Sequence, residues 1–330
     1  MSILNEQDYK LIERLVSLSQ KQLKRVMTKY LKERYEKVIV TKDYLVAIGE
    51  VPIALVAHMD TVFKTPVSTL YYDQEKTTLW SPDGLGADDR AGVFAIIKIL
   101  QAGYKPSIIL TTDEEKGGLG ASQLALKKCP IEGLKYMIEL DRRGINDCVF
   151  YDCYNEEFID YIQAFGFLEQ WGSFSDISFL MEAWKICGVN LSVGYMNEHT
   201  VCETLNVSHL FKTIEKVKTM LEEDYIPDFE YKELVYDYAN YPDLAKAYTS
   251  SLYGQHCSKC KNLYWEYELI PVKTATGAIK FLCPDCTIND VEWCEYCGEA
   301  FEVCGAATEK ICKECSDKLC TKTSKNNSKK

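Results

Sequence analysis

Side chains able to bind a metal or move a proton gather in a few short stretches of this 330-residue chain. They are His58-Met59-Asp60, Asp88-Asp89, Asp113-Glu114-Glu115, Asp141 and His199. Three of these stretches stand at the end of an apolar, β-branched run. Ile53 to Ala57 precedes His58, Ile108 to Leu110 precedes the three consecutive acids, and Tyr136 to Leu140 precedes Asp141. In an open α/β sheet, chemistry sits just beyond the carboxyl ends of the strands. Adjacent side chains diverge where a strand ends, so one of Glu114 and Glu115 can bind a metal while the other handles a proton. Two imidazoles and three carboxylates exceed the four ligands of a single tetrahedral zinc. They suit two ions about 3.5–4 Å apart that share one carboxylate. The absence of thiolate from the set favours zinc, with cobalt or manganese as substitutes. Asp60 lies two residues beyond His58, on the same strand face, where it can accept the second imidazole N–H. The two remaining histidines, His209 and His256, have no such setting.

The elements that must position these groups alternate along the chain. Apolar residues at helical spacing (Leu11, Leu15, Leu18, Leu23, Met27, Leu31) predict amphipathic helix over 5–37. A hairpin follows around Lys42-Asp43, then the central strand Ile53–Ala57, and a second hairpin over 66–82. Asp88-Asp89 leads into an apolar helix over Val93–Leu100, where acids in the first turn suit the helix dipole. Strands are expected at 107–112, 135–141, 147–153 and 189–194, and helices at 121–128, 156–165, 176–186 and 206–223. This alternation predicts an α/β fold, doubly wound, with a mainly parallel central sheet and helices on both faces.

Taken together, His58-Met59-Asp60, Gly86-Ala87-Asp88-Asp89-Arg90-Ala91-Gly92, Thr112 to Glu115 with Gly117-Gly118-Leu119-Gly120-Ala121, Glu139-Leu140-Asp141 and His199 resemble the di-zinc exopeptidases. That superfamily includes peptidase T, the glutamate carboxypeptidases, acetylornithine deacetylase and the bacterial co-catalytic zinc aminopeptidases. The resemblance spans roughly residues 38–222 and is specific to the superfamily rather than to one member. It implies that Asp88 bridges the ions, that His58 and Asp141 complete one site, and that Glu115 and His199 complete the other. It also implies Glu114 as general base, Asp60 as the clamp on His58, and a cis peptide after Asp88.

Departures from the pattern matter too. Only 57 residues separate Asp141 from His199, and 29 separate His58 from Asp88. Neither gap holds the extra domain that different branches insert, so the layout is closest to the single-domain aminopeptidases. The lid histidine of some relatives has no counterpart here. The implied reaction is metal-assisted hydrolysis of an amide bond, with a peptide or an N-acyl amino acid as substrate. A carboxypeptidase would need an arginine for the terminal carboxylate, and Arg90, Arg142 and Arg143 lie near the site residues in sequence. An aminopeptidase would need spare carboxylates for the free amine, and Asp176 and Glu198 are available. The second option is favoured.

The carboxy-terminal part has a different text. Of fifteen cysteines, ten fall after position 250, and eight of these form Cys-x-x-Cys pairs. Cys257, Cys260, Cys283 and Cys286 fit one four-cysteine structural zinc, and Cys294, Cys297, Cys312 and Cys315 fit another. Two successive zinc ribbons are expected, with a cross-braced pairing as the alternative. The domain plan is therefore a catalytic unit at 1–223, a Tyr-rich connector at 224–256, the ribbons at 257–320 and a basic tail at 321–330. So short a cysteine region cannot bury much core, and metal would carry its stability.

Composition limits the remaining choices. Residues 1–250 hold 27 Lys+Arg against 38 Asp+Glu, and the rest balance at 11 against 11. An acidic body repels nucleic acid. No apolar run has the length to cross a bilayer, and no secretory signal opens the chain. With paired rather than scattered cysteines, the expectation is a cytoplasmic protein in a reducing compartment. Three functions stay open: an exopeptidase with two catalytic and two structural zinc ions, a deacylase of N-acyl amino acids using the same site, and a non-catalytic binder of peptides or partners. The ribbons are expected to dock a protein or a second copy.

Overall fold

A computed structural model describes residues 5–233 and, beyond them, 255–261, 263–264, 269–274, 279–287, 291–294 and 300–302. The chain divides into two compact units, Met1–Leu234 and Val235–Lys330. The stretch expected as a connector is thus split. Ile226, Phe229 and Tyr231 pack on the first unit's core, and Phe229 sits within a cluster of Tyr136, Phe158 and Tyr161.

The first unit is built on eight strands: β1 (Val38–Val40), β2 (Tyr44–Ala47), β3 (Val51–His58), β6 (Pro106–Thr111), β7 (Tyr136–Arg142), β8 (Asp147–Val149), β9 (Leu168–Glu169) and β10 (Cys187–Ser192). Their order is β1-β2-β6-β3-β7-β10-β8-β9. The four central strands, β6, β3, β7 and β10, run parallel. They are buried along nearly their whole length, as near-continuous apolar runs should be in a sheet covered on both sides. On the flanks β1, β2 and β8 are added antiparallel, and β9 pairs with β8 in parallel. The sequence reading of a long strand over 147–153 is corrected: β8 has three residues and runs antiparallel to β10. The chain then leaves the sheet, with Tyr151 in the left-handed region at φ 52°.

Two helix layers cover the sheet. Helix α3 (Ala87–Gln101) is apolar all round and fully buried from Ala91 to Ile97, so it must lie between other elements. It packs against β3 and β7 on one side, and against α1 (Glu6–Val16) and α7 (Val207–Leu221) on the other. Helices α4 (Leu119–Ala125) and α6 (Asp176–Trp184) pack on each other and on β2, β3 and β10. Helix α2 (Gln20–Lys32) lies against β1 and β2, and α5 (Glu156–Ala164) against β9. The α2 start is set by Ser19 and Gln22, which form a reciprocal capping box.

Parallel pairing has one consequence that matters most. The carboxyl ends of β3, β6, β7 and β10 all open onto one edge of the sheet. A second sheet, of four strands, brings His199 to that side. It joins the expected hairpin, β4 (Tyr71–Tyr72) and β5 (Thr78–Trp80), to β11 (Tyr195–Met196) and β12 (Thr204–Asn206). His199 rides in the loop between β11 and β12.

In the second unit the described strands pair as β13 (Gln255–His256) with β14 (Leu263–Tyr264), and as a sheet of β16 (Ile279–Leu282), β15 (Ile270–Lys273), β18 (Ala300–Glu302) and β17 (Val291–Trp293). A short helix, α8 (Pro284–Thr287), follows β16. The small core holds Leu269, Val272, Leu282 and Ala300 together with Cys257 and Cys283.

Candidate metal centre

All five ligand candidates converge at the shared strand edge. His58 closes β3, and its Nε2 lies 2.9 Å from Asp88 Oδ1 and 3.7 Å from Asp141 Oδ1. His199 Nε2 lies 3.2 Å from Asp88 Oδ2 and 3.0 Å from Glu115 Oε2. Asp88 therefore presents one oxygen to each set. The donor atoms of His58, Asp88 and Asp141 fall within 4.8 Å of one another, as do those of Asp88, Glu115 and His199. The Asp88–Asp89 peptide is cis, as the resemblance implies.

Asp60 organises the other side of His58. Its Oδ1 lies 3.2 Å from His58 Nδ1. The same carboxylate accepts the backbone N–H groups of Glu114 and Glu115, each at 3.1 Å. One side chain thus orients the imidazole and holds the turn that carries both glutamates. With Nδ1 donating to Asp60, the Nε2 lone pair would be free for a cation held between it, Asp88 and Asp141. The turn is built by Asp113, in the left-handed region at φ 57°, and by Gly117 at φ 92°. Gln20 at the start of α2 pins it, accepting from Asp113 N at 2.9 Å.

Further residues support the ligands, and of these the sequence reading did not single out Glu203, Asn190, Ser175 and Tyr195. Glu203 accepts from the backbone N–H groups of Gly86 (2.6 Å) and Asp88 (3.0 Å), fixing the strand-to-helix turn beneath the shared carboxylate. Asn190 on β10 brackets Asp141, accepting from its N–H at 3.0 Å and donating to its carbonyl at 2.7 Å. Ser175 and Tyr195 donate to the Asp141 carboxylate at 3.2 and 3.1 Å. Asp89 accepts from the N–H groups of His58 and Gly92. Gly92 is needed here. A Cβ would overlap Leu140 O and lie 2.5 Å from both Asp89 carboxylate oxygens. Gly92→Ala is expected to cost about 1–3 kcal/mol, from overpacking alone. Denaturant unfolding against the parent chain measures this, and an unchanged midpoint would contradict it.

The arginines and spare carboxylates fall differently from expectation. Arg90 is buried, and its guanidinium donates to the carbonyls of Met59, Asp60 and Leu18, so it props up the His58–Asp60 segment and does not face a substrate. Arg142 donates to Trp171 O. Arg143 pairs with Glu198 at 3.0 Å. Asp176 is fully buried and takes the Thr111 hydroxyl, so it does not line an opening. The opening lies at His199, whose side chain is 52% exposed while Asp88, Glu115 and Asp141 are at 10% or less.

The electrostatics describe a site with too much negative charge for its burial. Burial raises the Glu114 carboxyl to about 8; His58 opposes this, and the charges of Asp176, Asp88 and Glu115 add to it. Burial and the neighbouring Asp88 and Asp89 push Asp141 well above the usual carboxylate range. The hydrogen bonds of Asp88 and Glu115 lift His199 to about 11. Glu115 Oε1 is buried with no hydrogen-bond partner. An orphaned anionic oxygen beside borderline nitrogen and hard oxygen donors fits a divalent cation. The residues present therefore fit the metal pair.

In the second unit the thiol sulfurs of Cys257, Cys260, Cys283 and Cys286 also lie within 4.8 Å of one another. Cys260 Sγ and Cys283 Sγ are 3.9 Å apart, and Cys283 N donates to Cys257 Sγ at 3.4 Å. The first Cys-x-x-Cys pair thus meets the second, the sequential arrangement. Of the other quartet, Cys294 is buried, and Cys297, Cys312 and Cys315 lie outside the described residues.

Comparison with solved structures places this architecture. An aminopeptidase PepT from Bacillus cereus matches 66% of this chain and 98% of its own, at 16% identity and a TM-score of 0.52. A tripeptidase from Staphylococcus aureus matches 67% of this chain and all of its own, at 15% identity and a TM-score of 0.54. Over the matched two thirds, the chain has their fold. A TET aminopeptidase from a marine sediment archaeon of the Thaumarchaeota is similar as well, at 12% identity over 67% of this chain and with a TM-score of 0.53. No family model matches the sequence, and no curated protein matches it.

Proposed function

We propose that the first unit is a metal-dependent exopeptidase that hydrolyses the amide bond of short peptides from the amino-terminal end. One observation carries the reading: Asp88 offers its two oxygens to two separate donor sets, with Glu114 among the same charges. The similar structures bear the names aminopeptidase and tripeptidase, which supports this substrate class.

His58, Asp88 and Asp141 would hold one ion, and Asp88, Glu115 and His199 the other, with zinc preferred and cobalt or manganese acceptable. Divalent ions held there supply Lewis acidity that polarises a carbonyl and makes water a better nucleophile at neutral pH. Glu114 moves the proton. Its carboxyl is buried and feels the charges of His58, Asp176, Asp88 and Glu115. It takes a proton from the attacking water and returns it to the nitrogen of the leaving amine. Asp60 keeps His58 in one tautomer and holds the Glu114–Glu115 turn, so its role is positioning. The opening at His199 admits the scissile bond, and the Arg143–Glu198 pair flanks it.

A panel of amino-terminally free, amino-terminally acetylated and carboxy-terminally amidated tripeptides, assayed with zinc, cobalt or manganese, tests the reading. Cleavage of the free and amidated peptides but not the acetylated one is expected. Preference for the acetylated peptide would instead indicate deacylation.

The cysteine quartet Cys257, Cys260, Cys283 and Cys286 would hold a structural zinc, and Cys294, Cys297, Cys312 and Cys315 a second. Elemental analysis of protein purified with zinc is expected to give about four ions per chain, two in each unit. Two or fewer would contradict the assignment.

A further inference from the structure

Strand β1 is an outer edge of the main sheet, so among the described residues one side of its backbone has no neighbouring strand. The register with β2 identifies the groups left over. Thr41 N bonds Tyr44 O and Ile48 N bonds Lys37 O. The hydrogen-bonded positions on β1 are therefore the odd ones, and Val38 and Val40 turn their N–H and C=O groups outward. Among the described residues these groups have no partner. Natural edge strands are blunted by brevity, by charge, proline or a bulge on the strand, or by a covering element. Strand β1 is short, with three residues, but its sequence Val-Ile-Val has no charge, proline or bulge, and Val40 is 44% exposed.

Alongside this edge runs an open groove of about 600 Å³, lined by Val40, by the cations Lys21, Lys24, Arg25, Lys29 and Lys32 of α2, and by one acid, Glu33. Helix α2 carries these five cations and no acid, in a chain whose net charge is −11. Lys29 has only a loose contact with Glu33, at 3.9 Å, and Lys24 donates to Lys42 O. Lys21, Arg25 and Lys32 have no ion pair among the described residues. Asp43 and Asp113 are the acids that Lys24 feels, and Asp113 is already engaged by Lys116.

Because Lys24 reaches Lys42 while the helix ends at Lys32 and β1 begins at Val38, the strand runs back along the helix. Cations four apart on a helix are about 6 Å apart along its axis, and alternate residues of a strand are about 6.8 Å apart. A strand laid on the β1 edge would thus bring every second side chain under successive cations of α2.

We propose that this groove binds an extended acidic peptide segment of another protein, which adds a strand to β1 and places alternate carboxylates beneath Lys21, Arg25 and Lys29. Main-chain pairing supplies attraction and the charged rim supplies selectivity, as in other strand-addition complexes. A second copy of this chain is a poor occupant, because twofold pairing of β1 edges would set two cationic rims against each other.

The test uses the full, metal-loaded chain and a fluorescently labelled ten-residue peptide of alternating Glu and Val, followed by anisotropy. Saturable binding that weakens with salt is expected. A matched Lys-Val peptide should not bind. The triple variant Lys21→Glu/Arg25→Glu/Lys29→Glu should weaken binding at least about tenfold, the loss expected for three exposed ion pairs. Val40→Pro, which removes an outward N–H at an edge position that tolerates proline, should weaken it independently. Unchanged melting temperature and metal content in both variants show that the fold is kept. The proposal is overturned if the Glu-Val peptide does not bind, or if it binds both variants as well as the parent. It is also overturned if a single-stranded oligonucleotide or anionic phosphatidylserine vesicles bind the surface more tightly than the peptide. Sedimentation showing a dimer that Val40→Pro dissociates would assign the edge to a second copy instead.

Discussion

Glu114→Gln is expected to lower kcat by about 10²–10⁴-fold, the range set by losing a positioned general base, while leaving metal content unchanged. The substitution keeps shape and removes only the ability to hold and release the proton. The backbone N–H of Glu114, which Asp60 accepts, is untouched, so the turn should persist. The neighbouring change has a different expected result. Glu115 faces His199 at 3.0 Å and has a buried oxygen without a partner, so Glu115→Gln should weaken one ion and leave the other. Single-turnover kinetics together with elemental analysis separate the two. Equal metal loss in both variants would mean that the division of labour between the adjacent glutamates is wrong.

Asp88→Ala should have the widest effect of any ligand change. Its two oxygens serve both donor sets, so removing them takes one donor from each. Loss of a residue that merely supports a ligand typically costs 10–100-fold in metal affinity. Losing the shared ligand itself should cost more than about 100-fold at both positions and bring hydrolysis to background. Two sequential binding steps in a calorimetric zinc titration of metal-stripped protein should disappear together. A variant that retained one step at parental affinity would show that Asp88 serves a single ion. The cysteine quartets give a separate signal, which Cys→Ser changes at Cys257 and Cys260 would identify.

Much of the centre was legible because its ligands are compressed into strand ends. A strand end requires an apolar run followed by an abrupt polar residue, and His58, Asp141 and the Glu114–Glu115 pair each stand behind such a run. Parallel pairing then had to bring those ends together. His199 was harder to place by pattern, since it sits in the β11–β12 loop beyond a strand end, and the resemblance supplied its role as a ligand of the second ion. The supporting residues left no local trace. Glu203 acts on Gly86 and Asp88 from 115 or more positions away, and Asn190 acts on Asp141 from 49 positions away. Neither sits in a stretch with any chemical bias. Arg90, named only as what a carboxypeptidase would need, has its donors taken by three backbone carbonyls. The antiparallel β8 was misread because a short apolar run gives no sign of its direction or of how soon it ends.

Anomalous diffraction at the zinc edge, from crystals of the full chain grown with zinc, tests the central claim most directly. Two peaks about 3.5–4 Å apart are expected, one against His58 and Asp141, the other against Glu115 and His199, with Asp88 between them. A single peak, or none within that group of residues, would contradict the two-ion site and with it the proposed hydrolysis.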